Sequence, residues 1–156
     1  MRIITYKTLL NGDKKPELVK ENARNYSCDT DHLSHPDDIV RMINTMFNAH
    51  KLAEEYVWVV AFDNRNKPIG VFEVTHGTVN YSVVTPREVF TRLCLVGAVR
   101  FAVVHNHPSG EVEASDADKD FTALLNNVGA IMNIKLIDSL IIGDGCYYSF
   151  MEHNEI

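Results

Sequence analysis

Two histidines one residue apart, a serine eight residues beyond them and an aspartate three further on form the stretch richest in chemistry: His105-Asn106-His107-Pro108-Ser109-Gly110-Glu111-Val112-Glu113-Ala114-Ser115-Asp116-Ala117-Asp118. On an extended chain, residues i and i+2 point the same way, so His105 and His107 can offer two imidazoles to one ion. Pro108 and Gly110 release the chain from the strand, and Asp118 returns on the first turn of a helix. Two nitrogens and one oxygen leave a fourth position for water, as a catalytic zinc requires. Zinc lowers the pKa of such a water towards ~7. The expected cofactor is one Zn²⁺ per chain, held by His105, His107 and Asp118. The proton needs an acceptor, and Glu73 has the right chemistry. Strand alternation puts it on the apolar face of Ile69 and Val71, where desolvation raises a carboxylate pKa towards working pH. Ser115 can donate a hydrogen bond to the oxyanion of a tetrahedral intermediate.

Each of these residues also has a plainer use. A lone histidine at a strand end is more often hydrogen-bonded than ligating. Ser115 with Asp118 spells a capping box, and an aspartate that ligates zinc cannot fully serve the N-cap amide as well. Glu73 could simply pair with a buried arginine or lysine. The combined spacing weighs towards metal. His76, although near Glu73, falls on the opposite face by alternation and is left out of the site.

The elements that must position these groups are legible in most of the chain. Arg2 to Leu10 reads as a strand, closed by a turn at Asn11-Gly12-Asp13. Residues 14–35 show no clear period, so 1–35 is expected to be an N-terminal arm or extension and 36–156 the domain. Pro36, Asp37 and Asp38 open a helix with apolar steps through Phe47 and His50, ending near Ala53. Tyr56 to Phe62 is a continuous apolar run, which predicts a central strand covered on both faces, with Lys67 to His76 as its hairpin partner. Gly77-Thr78 ends that partner. Thr85-Pro86-Arg87-Glu88 combines a cap, a proline at the first helical position and a capping-box glutamate. That helix ends near Gly97, and Arg100 to Val104 returns as the strand that delivers the histidines. Ser115 opens the next helix, stopped at Asn133, and Ile134 to Ile142 and Cys146 to Phe150 are the last strands. Strands alternate with helices, so the fold class is α/β: a mixed β-sheet flanked by helices.

The bulk numbers suit one soluble globular domain: 156 residues, 46% hydrophobic and 23% charged. No apolar run reaches the roughly 18 residues of a bilayer span, and the N-terminus lacks a signal-peptide core. No membrane partner is expected. Three scattered cysteines, Cys28, Cys94 and Cys146, indicate neither a disulfide framework nor a thiolate zinc site, and fit a reducing cytoplasm. A net charge of −6 does not support broad binding to DNA. Oligomeric state is not legible.

His105-x-His107-x7-Ser115-x2-Asp118 with an upstream Glu73 resembles the JAMM (MPN+) metalloprotease motif. The wider text is similar to RadC-like bacterial JAB-domain proteins. It comprises Glu73-Val-Thr-His-Gly77-Thr78, Pro86-Arg87-Glu88-Val89-Phe90, Val104-His-Asn-His-Pro-Ser-Gly110 and Ile141-Ile-Gly-Asp-Gly145, across about residues 36 to 150. Ala114 stands where a proline often precedes the serine, and Ser139 follows Asp138 where a histidine is usual. The resemblance implies a cytidine-deaminase-like α/β fold of JAB/MPN type. It also implies zinc on His105, His107 and Asp118, Glu73 as general acid/base, and Ser115 assisting the oxyanion. It implies a bacterial cytoplasmic hydrolase that cleaves peptide or isopeptide bonds in a peptide or protein substrate. The alternative is a DNA-repair-associated accessory protein with a structural or vestigial metal site. A nucleobase deaminase would need His-x-Glu and Pro-Cys-x-x-Cys, and neither is present.

Overall fold

The computed structural model describes residues 1–28, 31–77 and 84–156. Its described strands form one seven-stranded mixed sheet. In chain order the elements are β1 (Arg2–Leu10), β2 (Pro16–Asn25), α1 (Pro36–Phe47), β3 (Glu55–Phe62), β4 (Pro68–Gly77), α2 (Pro86–Val96), β5 (Arg100–Asn106), α3 (Asp116–Met132), β6 (Lys135–Ile142) and β7 (Tyr147–Ser149). Across the sheet the order is β2-β1-β4-β3-β5-β6-β7. The expected α/β architecture is therefore present. Thr78, expected to help end β4, lies outside the described residues.

The sheet separates two cores. On one face α1 lays Ile39, Ile43 and Met46 against Trp58, Val60, Val104 and Leu140. On the other, Val89, Phe90 and Leu93 of α2 and Leu125 of α3 cover Val57, Val59, Phe101 and Val103. The run Val57–Phe62 is buried at every position because its alternate side chains enter different cores. Full burial of such a side chain is worth roughly 1.5–3 kcal/mol, so the two cores hold β3 and β5 firmly at the centre.

Three local readings change. Within the N-terminal arm or extension, the stretch after the first strand, expected to show no period, carries a second strand. β2 pairs antiparallel along all of β1, and β1 joins β4 in parallel at Thr5↔Val71. β2 hides from periodicity because it is exposed along most of both faces, with Leu18 and Val19 adjacent in sequence. α1 stops at Phe47 rather than near Ala53, because Asn48 adopts the left-handed conformation at φ 53° and a short 3-10 turn follows. β4 carries two irregularities against β3, at Ala61/Phe62 and at Val57/Trp58, and each resets which face its side chains occupy.

Candidate metal centre

β5 ends between the two core-covering layers and continues straight into the site. Its pairing with β3 reaches Val57↔His105, and its pairing with β6 reaches Asn106↔Ile142. One residue on, the His107 amide still donates to the Ile142 carbonyl at 2.9 Å, which keeps the chain extended. His105 and His107 thus share a face, as their spacing predicts. Gly110 then turns the loop at φ 82°, and its carbonyl accepts from the Asp144 amide at 3.0 Å. That contact requires glycine at 143, where a Cβ would sit 2.3 Å from the Gly110 oxygen.

The loop delivers Ser115 to the N-cap of α3. Its hydroxyl accepts from the Asp118 amide at 3.2 Å and donates to Asp118 Oδ2 at 2.5 Å, while its own amide donates to the same oxygen at 2.8 Å. Asp118 Oδ1 is left to face His105 Nε2 at 3.1 Å. The carboxylate therefore divides its work: one oxygen closes the capping box and the other enters the cluster. The conflict between cap and ligand is resolved within a single side chain.

His105 Nε2 and His107 Nε2 are 3.1 Å apart, and His107 Nε2 lies 3.7 Å from Asp118 Oδ2. A tetrahedral ion with bonds of about 2.0 Å needs ligand atoms roughly 3.3 Å from one another; His105 Nε2 lies 3.1 Å from both His107 Nε2 and Asp118 Oδ1, and one ligand atom from each of the three residues lies within 4.8 Å of the others. His107 Nδ1 donates to the Glu111 carbonyl at 3.0 Å, which leaves Nε2 as the ligating nitrogen. His105 is buried, and His107 and Asp118 are half-buried. The donor set and its spacing fit a divalent metal. Burial pushes the Asp118 pKa up. The hydrogen bond and charge of His105, with the hydroxyl and amide of Ser115, outweigh it and hold the carboxyl well below the usual range. A carboxylate kept ionised and nitrogens aimed at one point are what metal binding asks for. Beside the cluster opens a cleft of about 450 Å³ walled by His107, Glu111, Glu113, Ser115, Asp116 and Lys119, among others.

Glu73 is not brought to this cluster. It pairs with Trp58, whose side chain faces α1, whereas His105 pairs with Val57, whose side chain faces α2 and α3. The Glu73 side chain is 44% exposed and lies 3.4 Å from His76 Nδ1. The apolar surroundings expected for it are absent, and His76, expected on the opposite face, shares its face. The physical cause is the extra residue Val74 opposite β3, which resets the alternation after Glu73. The other irregularity likewise places Ile69 and Val71 against different cores.

The same registers identify a carboxylate that sequence reasoning missed. Two residues before Val57 on β3 is Glu55, and two residues after His105 on β5 is His107. The pairing stops at Val57↔His105; carried one alternate step further, the same register would set Glu55 opposite His107, on the face of Val57 and His105. Glu55 is half-buried and is not one of the converging ligands. The signal available in the sequence was a charged pair, Glu54-Glu55, at the head of an otherwise apolar strand.

A family model described as the RadC-like JAB domain matches residues 33–155. Among similar proteins, a UPF0758 protein of Clostridioides difficile is 40% identical over 121 residues, covering 78% of this chain and 51% of the relative. A UPF0758 protein of Chlorobium phaeovibrioides is 41% identical over 103 residues, covering 66% and 46%. One from Geotalea uraniireducens is 32% identical over 122 residues, covering 78% and 53%. The chain thus spans about half the length of the curated relatives it matches.

Proposed function

We propose, for a chain that belongs to the RadC-like JAB domain family, that His105, His107 and Asp118 hold one zinc ion and that the protein hydrolyses peptide or isopeptide bonds. The observation that carries this reading is the convergence of two imidazole nitrogens and one carboxylate oxygen beside an open cleft. A metal held there supplies Lewis acidity and lowers the pKa of water towards ~7.

The chain's own residues do the rest. Asp118, kept ionised, offsets part of the ion's charge and ties it to the start of α3. His107, fixed through the Glu111 carbonyl, keeps its tautomer. Glu55 takes the proton of the attacking water and returns it to the leaving amine. We assign this role to Glu55 rather than Glu73 because Glu73 pairs with Trp58 on the other face, whereas the register of β3 against β5, extended past Val57↔His105, would carry Glu55 to the face of the cluster. The single proton of the Ser115 hydroxyl is held by Asp118 Oδ2, so Ser115 orients the carboxylate; donation to an oxyanion would require that bond to break. Glu111, Glu113 and Asp116 beside the site repel phosphate, which weighs against a nucleic acid as the bound partner. Among the described residues no helix is long and apolar enough to cross a membrane. Cys94 and Cys146 are exposed thiols, in keeping with work in a reducing cytoplasm.

The test is a peptide- and isopeptide-library cleavage screen of zinc-loaded protein, with Glu55→Gln and Glu73→Gln beside the wild type. Glu55→Gln is expected to keep its metal and lose about 10²–10⁴-fold in rate, the usual contribution of a positioned acid/base. Glu73→Gln should keep most of its rate. A reversed ranking would return the proton to Glu73, and a loaded wild type that cleaves nothing would remove the hydrolase reading.

A further inference from the structure

We infer that Asn106, the residue between the two histidines, is a positioning residue that fixes the metal ligands of β5 against the segment of β3 that carries Glu55. The inference deepens the metal-site reading and rests on it.

Asn106 is 1% exposed, although it stands at the end of its strand. Its Oδ1 accepts from the Tyr56 amide at 2.8 Å, and its Nδ2 donates to the Glu54 carbonyl at 3.0 Å. Those two backbone groups flank Glu55. The ladder between β3 and β5 ends at Val57↔His105, so the carboxamide stands where the next backbone bonds would be. A peptide group offers one donor and one acceptor, and among side chains a primary amide offers both from one planar unit. The carboxamide keeps both backbone groups satisfied where the ladder stops. On its other side, His107 is anchored to β6 through the Ile142 carbonyl. The separation between His107 and Glu55 is then set by one buried side chain rather than by a flexible loop. An apolar residue of the same size would orphan the Tyr56 amide and the Glu54 carbonyl together.

The experiment compares wild type, Asn106→Leu and Asn106→Gln. Urea denaturation of the metal-free forms records folding. Co²⁺ titration, followed by its visible d–d bands, reports ligand geometry, and chelator competition reports Zn²⁺ affinity. Asn106→Leu is expected to bind Zn²⁺ at least tenfold more weakly and to shift or weaken the Co²⁺ bands, with Asn106→Gln recovering part of both. Wild-type bands and an affinity within twofold in Asn106→Leu would overturn the inference and leave the metal reading standing. No metal uptake by the wild type would fail the metal reading and the inference with it. Should Asn106→Leu fail to fold, amide exchange in the wild type decides. Metal should slow the Tyr56 amide at least tenfold more than the Val59 amide, and equal slowing overturns the inference.

Discussion

Replacing Ser115 with alanine separates its two duties at the start of α3. The hydroxyl accepts from the Asp118 amide at 3.2 Å and donates to Asp118 Oδ2 at 2.5 Å, and alanine removes both bonds. Loss of a serine N-cap costs about 1 kcal/mol. The hydroxyl donation to a carboxylate is charge-assisted, but the Ser115 amide still holds the same oxygen at 2.8 Å, so about 1 kcal/mol more is a reasonable share. The total of roughly 2 kcal/mol corresponds to about 4–8 °C in Tm for a chain of this size. The second part depends on pH. Asp118 has a depressed pKa in the folded protein, so its contribution is present above the unfolded value and is lost as pH falls through the folded one. Alanine lets the folded pKa climb back part of the way. The gap between wild type and Ser115→Ala should therefore be full at pH 7 and narrow below about pH 4, where an ordinary aspartate titrates. Urea denaturation of metal-free protein across that range measures it. A gap under about 0.3 kcal/mol at pH 7 would mean that the hydroxyl anchors nothing. A gap that stays constant with pH would show that it does not act through the charge of Asp118.

Metal addition should raise the Tm of the wild type. At a free ion concentration a hundred times Kd the stabilisation is about 2.7 kcal/mol, or roughly 5–11 °C, and calorimetry of His105→Ala should show none of it. No shift in the wild type under excess Zn²⁺ would refute the site. Asp138 is 2% exposed, and burial lifts its pKa to about 6 against the hydrogen bonds of the Ser149 hydroxyl and the Ser139 and Met151 amides. A raised folded pKa contributes stability below the unfolded value and loses it as pH rises through the folded one. Relative to Asp138→Asn, the wild type should therefore lose roughly 2–3 kcal/mol between about pH 4 and pH 7, and a difference that is flat with pH would remove the assignment.

What could be read from the sequence was what is local in it. His105, His107, Ser115 and Asp118 lie within one strand, one loop and one helix turn, and their spacing alone brought them together. Helix starts at Pro36, Pro86 and Ser115 were equally plain, because caps act within four residues. Glu55 was hidden because its place depends on the register of β3 against β5, which joins residues about fifty apart in the chain. Glu73 was misplaced because alternation assumes a regular strand, and the extra residue at Val74 breaks it without any glycine or proline to announce the break. β2 escaped notice because a strand exposed along most of both faces has no apolar period to show.

The division of the Asp118 carboxylate between helix cap and ligand cluster has a topological consequence. β5 and β6 are parallel, so the chain must cross over between them through α3. An ion on His105 and Asp118 would pin the outgoing strand to the head of that crossover, closing a short loop much as a disulfide does; cross-linking a loop of about 15 residues is worth about 3 kcal/mol in chain-entropy terms. The strands on either side of β5 keep their own ladders whether or not the ion is present. The ion would thus act as a clasp on the crossover rather than a keystone of the sheet, and its departure would loosen the stretch from His107 to Ser115 first.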